Sequence, residues 1–155
     1  MKNYLFIIVM LLFFSNYTIG NQSNINPEQQ PTKKEWKLLF EKNGVQVYAI
    51  YENCDDIING IHQENAVLKF VNTTDKNLSI DWDLKIWYDG SCVNCDKNEK
   101  EHHFAIRLNA GETKRGSCET RTINRELVIF SKFLNMENKS VLTNFELQNV
   151  QVKPL

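Results

Sequence analysis

The sequence predicts an all-β fold, an immunoglobulin-like antiparallel β-sandwich of about seven to eight strands stabilised by disulfides. Three observations predict it: apolar and polar residues alternate with a period of two, turn signals recur at close intervals, and four cysteines occur in a chain that begins with a signal-like segment. Alternation of this period is typical of half-buried strands. Closely spaced turns favour a sandwich over βαβ units.

The N-terminal segment, residues 1–20, has the organisation of a secretory signal peptide. Lys2 precedes an apolar run from Tyr4 to Phe14, and a polar stretch then ends in small residues, with cleavage expected after Gly20. This run is shorter than the roughly 20 helical residues that cross a bilayer. We expect a secreted or periplasmic mature chain without a transmembrane segment, with a flexible polar leader over 21–32 and a single β-sandwich domain over 33–155.

Charge is nearly balanced along the chain, with 18 basic and 19 acidic residues and a formal net charge of −1. A basic excess would favour binding to nucleic acid or to an anionic membrane surface. The composition therefore gives no reason to expect nucleic acid as a partner.

Two interpretations fit the start of the domain. Thr32 and Glu35 have the spacing of a capping box, which indicates a short helix over 33–42. Asn43-Gly44, between WKLLF and VQVYAIY, is the strongest short-range signal for a β-hairpin. The hairpin is the interpretation we favour.

The clearest strand is LSIDWDLKIWY, residues 78–88. Its inward face is apolar and consists of Leu78, Ile80, Trp82, Leu84, Ile86 and Tyr88, so Trp82 is expected in the core. Trp87 falls on the outward face, where it is a candidate surface contact unless it is covered by the N-terminal segment around Trp36 or, as we favour, by the loop over 89–101.

Other segments complete the predicted sheets. AVLKFV (66–71) precedes the polar turn NTTDKN, so Lys69 is expected to face Asp81 or Asp83 across an antiparallel pair. HFAIRL (103–108) is followed by the turn NAG, after which ETKRGSC is expected to run back beside it. LVIFSKF (127–133) and VLTNFELQNVQV (141–152) follow, although the first of these also fits a helical period.

Four cysteines, Cys54, Cys92, Cys95 and Cys118, allow three complete pairings. Following the strand directions brings all four to one end of the sandwich, together with His62, His102 and His103. We expect Cys118 to pair with one of Cys92 and Cys95, and Cys54 with the other. The alternative is a small Cys92–Cys95 ring with Cys54 joined to Cys118. An oxidising compartment and an even count favour disulfides over structural zinc or a redox dithiol.

The remaining polar residues form no complete catalytic set. Asp81 and Asp83 share one strand face, Asp55, Asp56, Asp89 and Asp96 lie near the predicted loops, and His102 and His103 point to opposite faces. No nucleophile elbow and no Gly-rich phosphate loop occurs in the sequence. We therefore expect no catalytic residues, no metal and no cofactor.

These observations lead to one leading hypothesis and two alternatives. The leading hypothesis is a secreted, non-enzymatic module, or an envelope-associated structural protein, that binds another macromolecule, a protein, through its loops. The first alternative is a thiol–disulfide redox protein that uses Cys92 and Cys95. The second is a small zinc-binding protein.

Overall fold

Strands joined by tight turns dominate the computed structural model, which describes residues 35–96, 100–118, 126–137 and 140–155. The strands are β1 (Lys37–Lys42), β2 (Val45–Asp56), β3 (Ile61–Asn72), β4 (Leu78–Tyr88), β5 (Ser91–Cys92), β6 (His103–Leu108), β7 (Thr113–Arg115), β8 (Val128–Phe133) and β9 (Leu142–Pro154), with a 3-10 helix at Lys100–His102. The predicted signal peptide, leader and domain start lie outside the described residues. Within these ranges, no helix is long and apolar enough to span a bilayer.

Two antiparallel sheets pack as a sandwich. In the first sheet, β1, β2 and β3 are consecutive neighbours, and β7 and β8 share the far edge of β3. In the second, β9 pairs along one edge of β4, while β6 and β5 share the other edge. The predicted antiparallel sandwich is therefore confirmed, whereas this strand order does not confirm immunoglobulin-like connectivity.

The first hairpin forms as predicted. Asn43 (φ 48°) and Gly44 (φ 79°) are both left-handed, which is the backbone of a type I′ turn. Lys42 and Val45 are consequently paired across β1 and β2. The alternative helix over 33–42 is wrong for Lys37–Lys42, since these residues are a strand.

Two predicted strand pairs are wrong for a common reason. The polar turn after β3 carries the chain from the first sheet into the second, so β3 and β4 do not pair, and β7 likewise returns to β3 instead of β6. Lys69 consequently lies in the other sheet from Asp81 and Asp83. Its Nζ is 4.3 Å from the ring centroid of Trp36 and 4.5 Å from that of Tyr48, as in cation–π contacts.

The core lies between the sheets and is centred on Trp82, which is 0% exposed. Its indole stacks on Phe70 of the first sheet, with ring centroids 4.9 Å apart. The inward faces predicted for β3, β4 and β6 are confirmed by the burial of Leu68, Ile80 and Ile106. Burial of side chains of this size stabilises a fold by about 1.5–3 kcal/mol each, so this interface holds the sheets together.

The edge strand formed by β7 and β8 is interrupted. The Gly116 amide donates to the Leu68 carbonyl (3.0 Å), and the Leu68 amide donates to the Leu127 carbonyl (2.9 Å). The chain thus leaves the β3 ladder after Gly116 and rejoins it at Leu127. The segment LVIFSKF, which also fitted a helical period, contains the strand β8. Its alternate residues Leu127, Ile129 and Ser131 are buried.

Candidate functional site

One end of the sandwich carries the exposed apolar side chains that form the candidate site. β2, β4 and β8 all run toward this end, which we call the loop end, and the Tyr88 hydroxyl links two of them by donating to the Phe130 carbonyl (2.8 Å). The loop end comprises the β2–β3 turn (57–60), the segment 134–136 after β8 and the turn that contains Cys92 and Cys95.

The β2–β3 turn presents two isoleucines to solvent. β2 and β3 stay in register from Val45 to Asp56, and the Asp56 carboxylate then accepts hydrogen bonds from the backbone amide (3.2 Å) and side-chain amide (2.6 Å) of Asn59. Gly60, at φ +64°, closes the turn. This geometry leaves Ile57 82% and Ile58 91% exposed.

The segment after β8 extends the same apolar surface. The Leu134 amide donates to the His62 carbonyl (2.7 Å), and the Asn135 side chain donates to the Gly60 carbonyl (3.1 Å). These bonds hold the segment beside the β2–β3 turn. Leu134 and Met136 are themselves 40% and 51% exposed. We call Ile57, Ile58, Leu134 and Met136 the apolar tip.

Acidic side chains border the apolar tip. Asp55, Asp56 and Glu137 are next to it in the chain, and Asp55 contacts His62 Nδ1 at 3.0 Å. The nearest lysine on β8, Lys132, is 3.7 Å from the Glu64 carboxylate, which balances its charge. Among the residues that the structure describes, the border of the tip is therefore negative.

A polar cluster lies below the tip, between β2, β3 and β8. Glu64 is buried and accepts a hydrogen bond from the Ser131 hydroxyl (3.3 Å). Burial and, secondarily, the Glu64 charge raise the pKa of Tyr51 to about 12. Tyr51 therefore keeps its phenolic proton to a higher pH than an ordinary tyrosine does.

The two disulfides have the pairing that the sequence analysis gave as its alternative. Cys54 is bonded to Cys118 and Cys92 to Cys95, so the favoured pairing across the two loops is wrong. The reason is again the crossing between sheets, which places β2 and β4 in different layers. Together the two disulfides indicate an oxidising, extracytoplasmic environment.

The Cys54–Cys118 disulfide fixes the interrupted edge strand to the first sheet. Cys54 lies on the β2 face opposite to Val47 and Ala49 and is 4% exposed. Arg115 reaches the same face and forms an ion pair with Glu52 (2.9 Å). The Cys54–Cys118 disulfide and the Arg115–Glu52 ion pair therefore hold the end of β7 and the residues that follow it against the outer face of β2.

The Cys92–Cys95 disulfide closes a turn on the edge of β4. Asp89 (φ 50°) and Gly90 (φ 78°) form a second type I′ turn between β4 and β5. The buried Asn94 side chain then replaces a missing strand neighbour: it accepts from the Ile86 amide (2.9 Å) and donates to the Leu84 carbonyl (2.7 Å). One amide side chain thus bridges the gap between β6 and β5.

Trp87, the predicted surface contact, is half-buried. It pairs with Cys92 of β5 on one side and Asn144 of β9 on the other. Directly opposed residues share a sheet face about 5 Å apart, so the indole lies next to the Cys92–Cys95 turn. This agrees with the expectation that the loop over 89–101 lies against it.

The two strand carboxylates, Asp81 and Asp83, are neutralised separately. Asp83 accepts hydrogen bonds from the Asn149 amide (2.7 Å) and contacts His103 Nδ1 (2.8 Å), and these bonds, with Asn149 as the larger cause, lower the pKa of Asp83. Asp81 is 3.9 Å from the Lys153 ammonium. This arrangement is an exposed charge network on the outer face of the second sheet.

The other predicted polar residues are not brought together. Asp89 Oδ1 accepts from the Val141 amide (3.1 Å), Asp56 closes its own turn, and Asp96 is exposed. His102 is half-buried beside the cleft at Phe104 and Phe130, whereas His103 is exposed. Among the residues that the structure describes, no group of three or more His, Cys, Asp or Glu side chains could hold a metal ion.

Sequence reasoning missed the apolar tip and the role of Asn94. Asn59-Gly60 is a turn signal of the same kind as Asn43-Gly44, and it indicates that Ile57 and Ile58 lie at a turn. Asp89-Gly90 in the same way indicates the β4–β5 hairpin. Asn94 carries no such signal, because its bonds to β4 depend on where β6 ends.

Comparisons with protein-family models, with curated proteins and with solved structures find no match to this chain.

Proposed function

We propose that this protein is a secreted or periplasmic, non-enzymatic β-sandwich module that binds a protein partner through its loop end. The observation that carries the proposal is the apolar tip, where two adjacent isoleucines are 82% and 91% exposed on a hydrogen-bonded turn. We propose that the protein is immunoglobulin-like in its architecture only: two packed sheets whose end loops carry a binding site.

Exposed isoleucines at a turn are unfavourable unless a partner covers them. Removing one such side chain from water contributes about 1.5–3 kcal/mol. A cluster of exposed apolar side chains also has the composition of the central part of a protein interface. Leu134 and Met136 widen the contact, and the adaptable Met side chain suits a surface that must fit another.

The border charges favour a protein over a membrane. Asp55, Asp56 and Glu137 are repelled by anionic headgroups, and the tip lacks the Trp, Lys and Arg residues that anchor peripheral proteins at lipid interfaces. A protein groove with an apolar floor and a basic rim complements both features of the tip. We therefore commit to that partner chemistry.

The absence of catalysis is part of the proposal and is supported by how the polar residues are engaged. Asp83 and His103 resemble two members of a catalytic set, but Asn149 occupies the second oxygen of the carboxylate. Both residues lie on the solvated outer face of the second sheet. This network is a surface charge cluster in our interpretation.

The experiment compares the wild-type mature protein with I57S/I58S and with L38S as a matched control. Leu38 is 43% exposed on β1, so L38S removes an apolar side chain far from the tip in the chain. Partners are crosslinked from an extracytoplasmic fraction, purified, and titrated into each variant by calorimetry. We expect I57S/I58S to weaken binding by about tenfold or more and L38S to leave it unchanged.

Two further measurements identify the kind of partner. A basic rim predicts that association slows as ionic strength rises. Binding to a membrane, the alternative to a protein partner, is tested by co-sedimentation with vesicles of phosphatidylcholine, with and without phosphatidylglycerol. Vesicle binding that I57S/I58S abolishes, or a purified partner that binds I57S/I58S as well as wild type, would overturn the proposal.

A further inference from the structure

The Cys92–Cys95 disulfide differs from the Cys54–Cys118 disulfide in sequence separation and in exposure. It joins residues only three apart, and Cys95 is exposed while Cys92 is half-buried. In the other disulfide, Cys54 is 4% exposed, Cys118 is half-buried, and the bond closes a separation of 64 residues. Cys95 is therefore the most exposed of the four cysteines in the folded protein, and the Cys92–Cys95 disulfide is the one that an attacking thiolate is expected to reach first.

Non-covalent contacts hold the Cys92–Cys95 turn in place. The Asn94 side chain makes two hydrogen bonds to β4, and the Val93 amide donates to the Ile86 carbonyl (3.0 Å). The Lys85 ammonium donates to the carbonyls of Asn94 (2.8 Å) and Cys95 (3.3 Å). Because these bonds do not use either sulfur, they do not depend on the disulfide, and we expect the turn to stay on β4 when the disulfide opens.

The charges around Cys95 suit thiol chemistry. The Lys85 ammonium is 3.3 Å from the Cys95 carbonyl oxygen, so a positive charge lies beside the residue whose side chain becomes a thiolate on reduction. Asp96 follows Cys95 and is exposed, and solvent screens its opposing charge. Val93, 48% exposed inside the ring, and Trp87 opposite Cys92 give an incoming molecule an apolar surface next to the sulfurs.

We propose that Cys92 and Cys95 form a reversible redox site that exchanges with an external dithiol, while Cys54–Cys118 remains a permanent structural bond. A thiolate of the dithiol attacks the exposed Cys95 sulfur, the Cys92–Cys95 bond breaks, and Cys92 leaves as a thiolate that takes up a proton. The second thiol of the dithiol then attacks its own mixed-disulfide sulfur and releases Cys95. Two electrons and two protons reach the protein, and the dithiol becomes a disulfide.

This exchange does not require a ligand at the apolar tip, since it uses different residues of the loop end, which lie on the other sheet. Failure of partner binding by I57S/I58S and failure of exchange at Cys92–Cys95 are therefore separate results. Each protein molecule consumes one dithiol when its Cys92–Cys95 disulfide is reduced. The exchange therefore changes the redox state of the turn without turnover, which is consistent with a non-enzymatic binding module.

The test follows both disulfides in the full mature protein with dithiothreitol and then with a glutathione buffer. Free thiols are trapped by alkylation at intervals and located by mass mapping. We expect Cys92 and Cys95 to be reduced about tenfold or more faster than Cys54 and Cys118, without unfolding, and to reoxidise when the buffer is reversed. Trp87 reports the same step through its fluorescence, and W87F removes that signal.

Variants separate a redox site from a merely accessible bond. K85M removes the ammonium beside Cys95 and is expected to slow exchange several-fold, whereas K153M, on the same sheet face but beside Asp81, leaves the rate unchanged. The proposal is overturned if both disulfides open together with unfolding, if Cys92–Cys95 resists reduction in the folded protein, or if K85M and K153M exchange equally fast.

Discussion

A Cβ atom on Gly116 would lie 2.5 Å from the main-chain carbonyl oxygen of Leu127. Both residues are bonded to Leu68, so the two halves of the edge strand meet at this point on β3. A backbone oxygen in a strand ladder cannot move aside as a flexible side chain can. Gly116 is thus required where the chain leaves and rejoins the sheet.

The variant G116A should destabilise the protein by about 1–3 kcal/mol, because the added methyl group must displace backbone that is paired with β3. Chemical denaturation measures the change in the free energy of unfolding. T113A is the control, since Thr113 is exposed on β7 and its loss is expected within about 0.5 kcal/mol of wild type. Equal stability of G116A and T113A would contradict the close approach of Gly116 to Leu127.

The two disulfides should contribute unequally to stability. A cross-link stabilises by restricting the unfolded chain, and the effect grows with the length of the closed loop. For separations of 64 and 3 residues, removal of the bond should cost about 4 kcal/mol in C54A/C118A and about 2 kcal/mol in C92A/C95A. Denaturation under non-reducing conditions checks the order. A larger loss in C92A/C95A would show that the turn depends on its disulfide.

The alternation of apolar and polar residues was sufficient to predict strand positions. LSIDWDLKIWY coincides with β4, and the predicted inward position of Trp82 is the centre of the core. The Asn43-Gly44 signal also gave the correct hairpin, because a type I′ turn needs two left-handed residues in a row. These features depend on local sequence alone.

The pairing of strands was not predictable in the same way. A polar turn such as NTTDKN can reverse the chain within one sheet or carry it across to the other, and the two outcomes leave the alternation unchanged. The assumption of reversal within one sheet misplaced Lys69 and the chain before Cys118, and it produced the wrong disulfide pairing. Whether the chain reverses within one sheet or crosses to the other depends on how β4 packs against the first sheet. That packing is a non-local interaction, which the local sequence pattern does not contain.

The apolar tip was missed because burial was predicted from alternation, which stops at a turn. Ile57 and Ile58 follow directly after β2, and an apolar pair at that position looks like a continuation of the strand. Their exposure depends on the Asp56–Asn59 contacts that close the turn. A turn signal beside an apolar pair is therefore the sequence feature to look for.

The variant N149G should raise the pKa of Asp83 toward its ordinary value. Asn149 has φ 53°, which glycine adopts without strain, so the substitution removes mainly the amide donor that most lowers this pKa. A carboxyl whose folded pKa is depressed contributes stability above its unfolded pKa of about 3.9, and the contribution is lost as pH falls through the folded pKa.

The stability effect of Asp83 should be small. Its side chain is 35% exposed, so solvent screening reduces the contribution to a few tenths of a kcal/mol. Titration of the Asp83 carboxyl by NMR is the decisive measurement, with Q151A as the control that leaves this pKa unchanged. An unchanged pKa of Asp83 in N149G would mean that His103 and Lys85, without Asn149, lower the pKa of this carboxyl.

Tyr51 should make the protein less stable in alkali. Its pKa is raised from 10.0 to about 12, so the unfolded chain loses the phenolic proton first and the folded chain retains it. Stability from this group is complete below the unfolded pKa and falls as pH rises through the window up to the folded value, by at most about 1.4 kcal/mol per pH unit.

Denaturant unfolding of wild type, Y51F and E64Q across that alkaline window tests this linkage. Y51F removes the titrating group, so its free energy of unfolding should fall less steeply with pH than that of wild type. E64Q removes the charge that is the second cause of the shift, and ultraviolet absorbance should show phenolate forming at lower pH in that variant. Tyr88, whose pKa burial also raises, is present in all three proteins and cancels in the comparison. Identical pH slopes for wild type and Y51F would show that Tyr51 is not buried against Glu64.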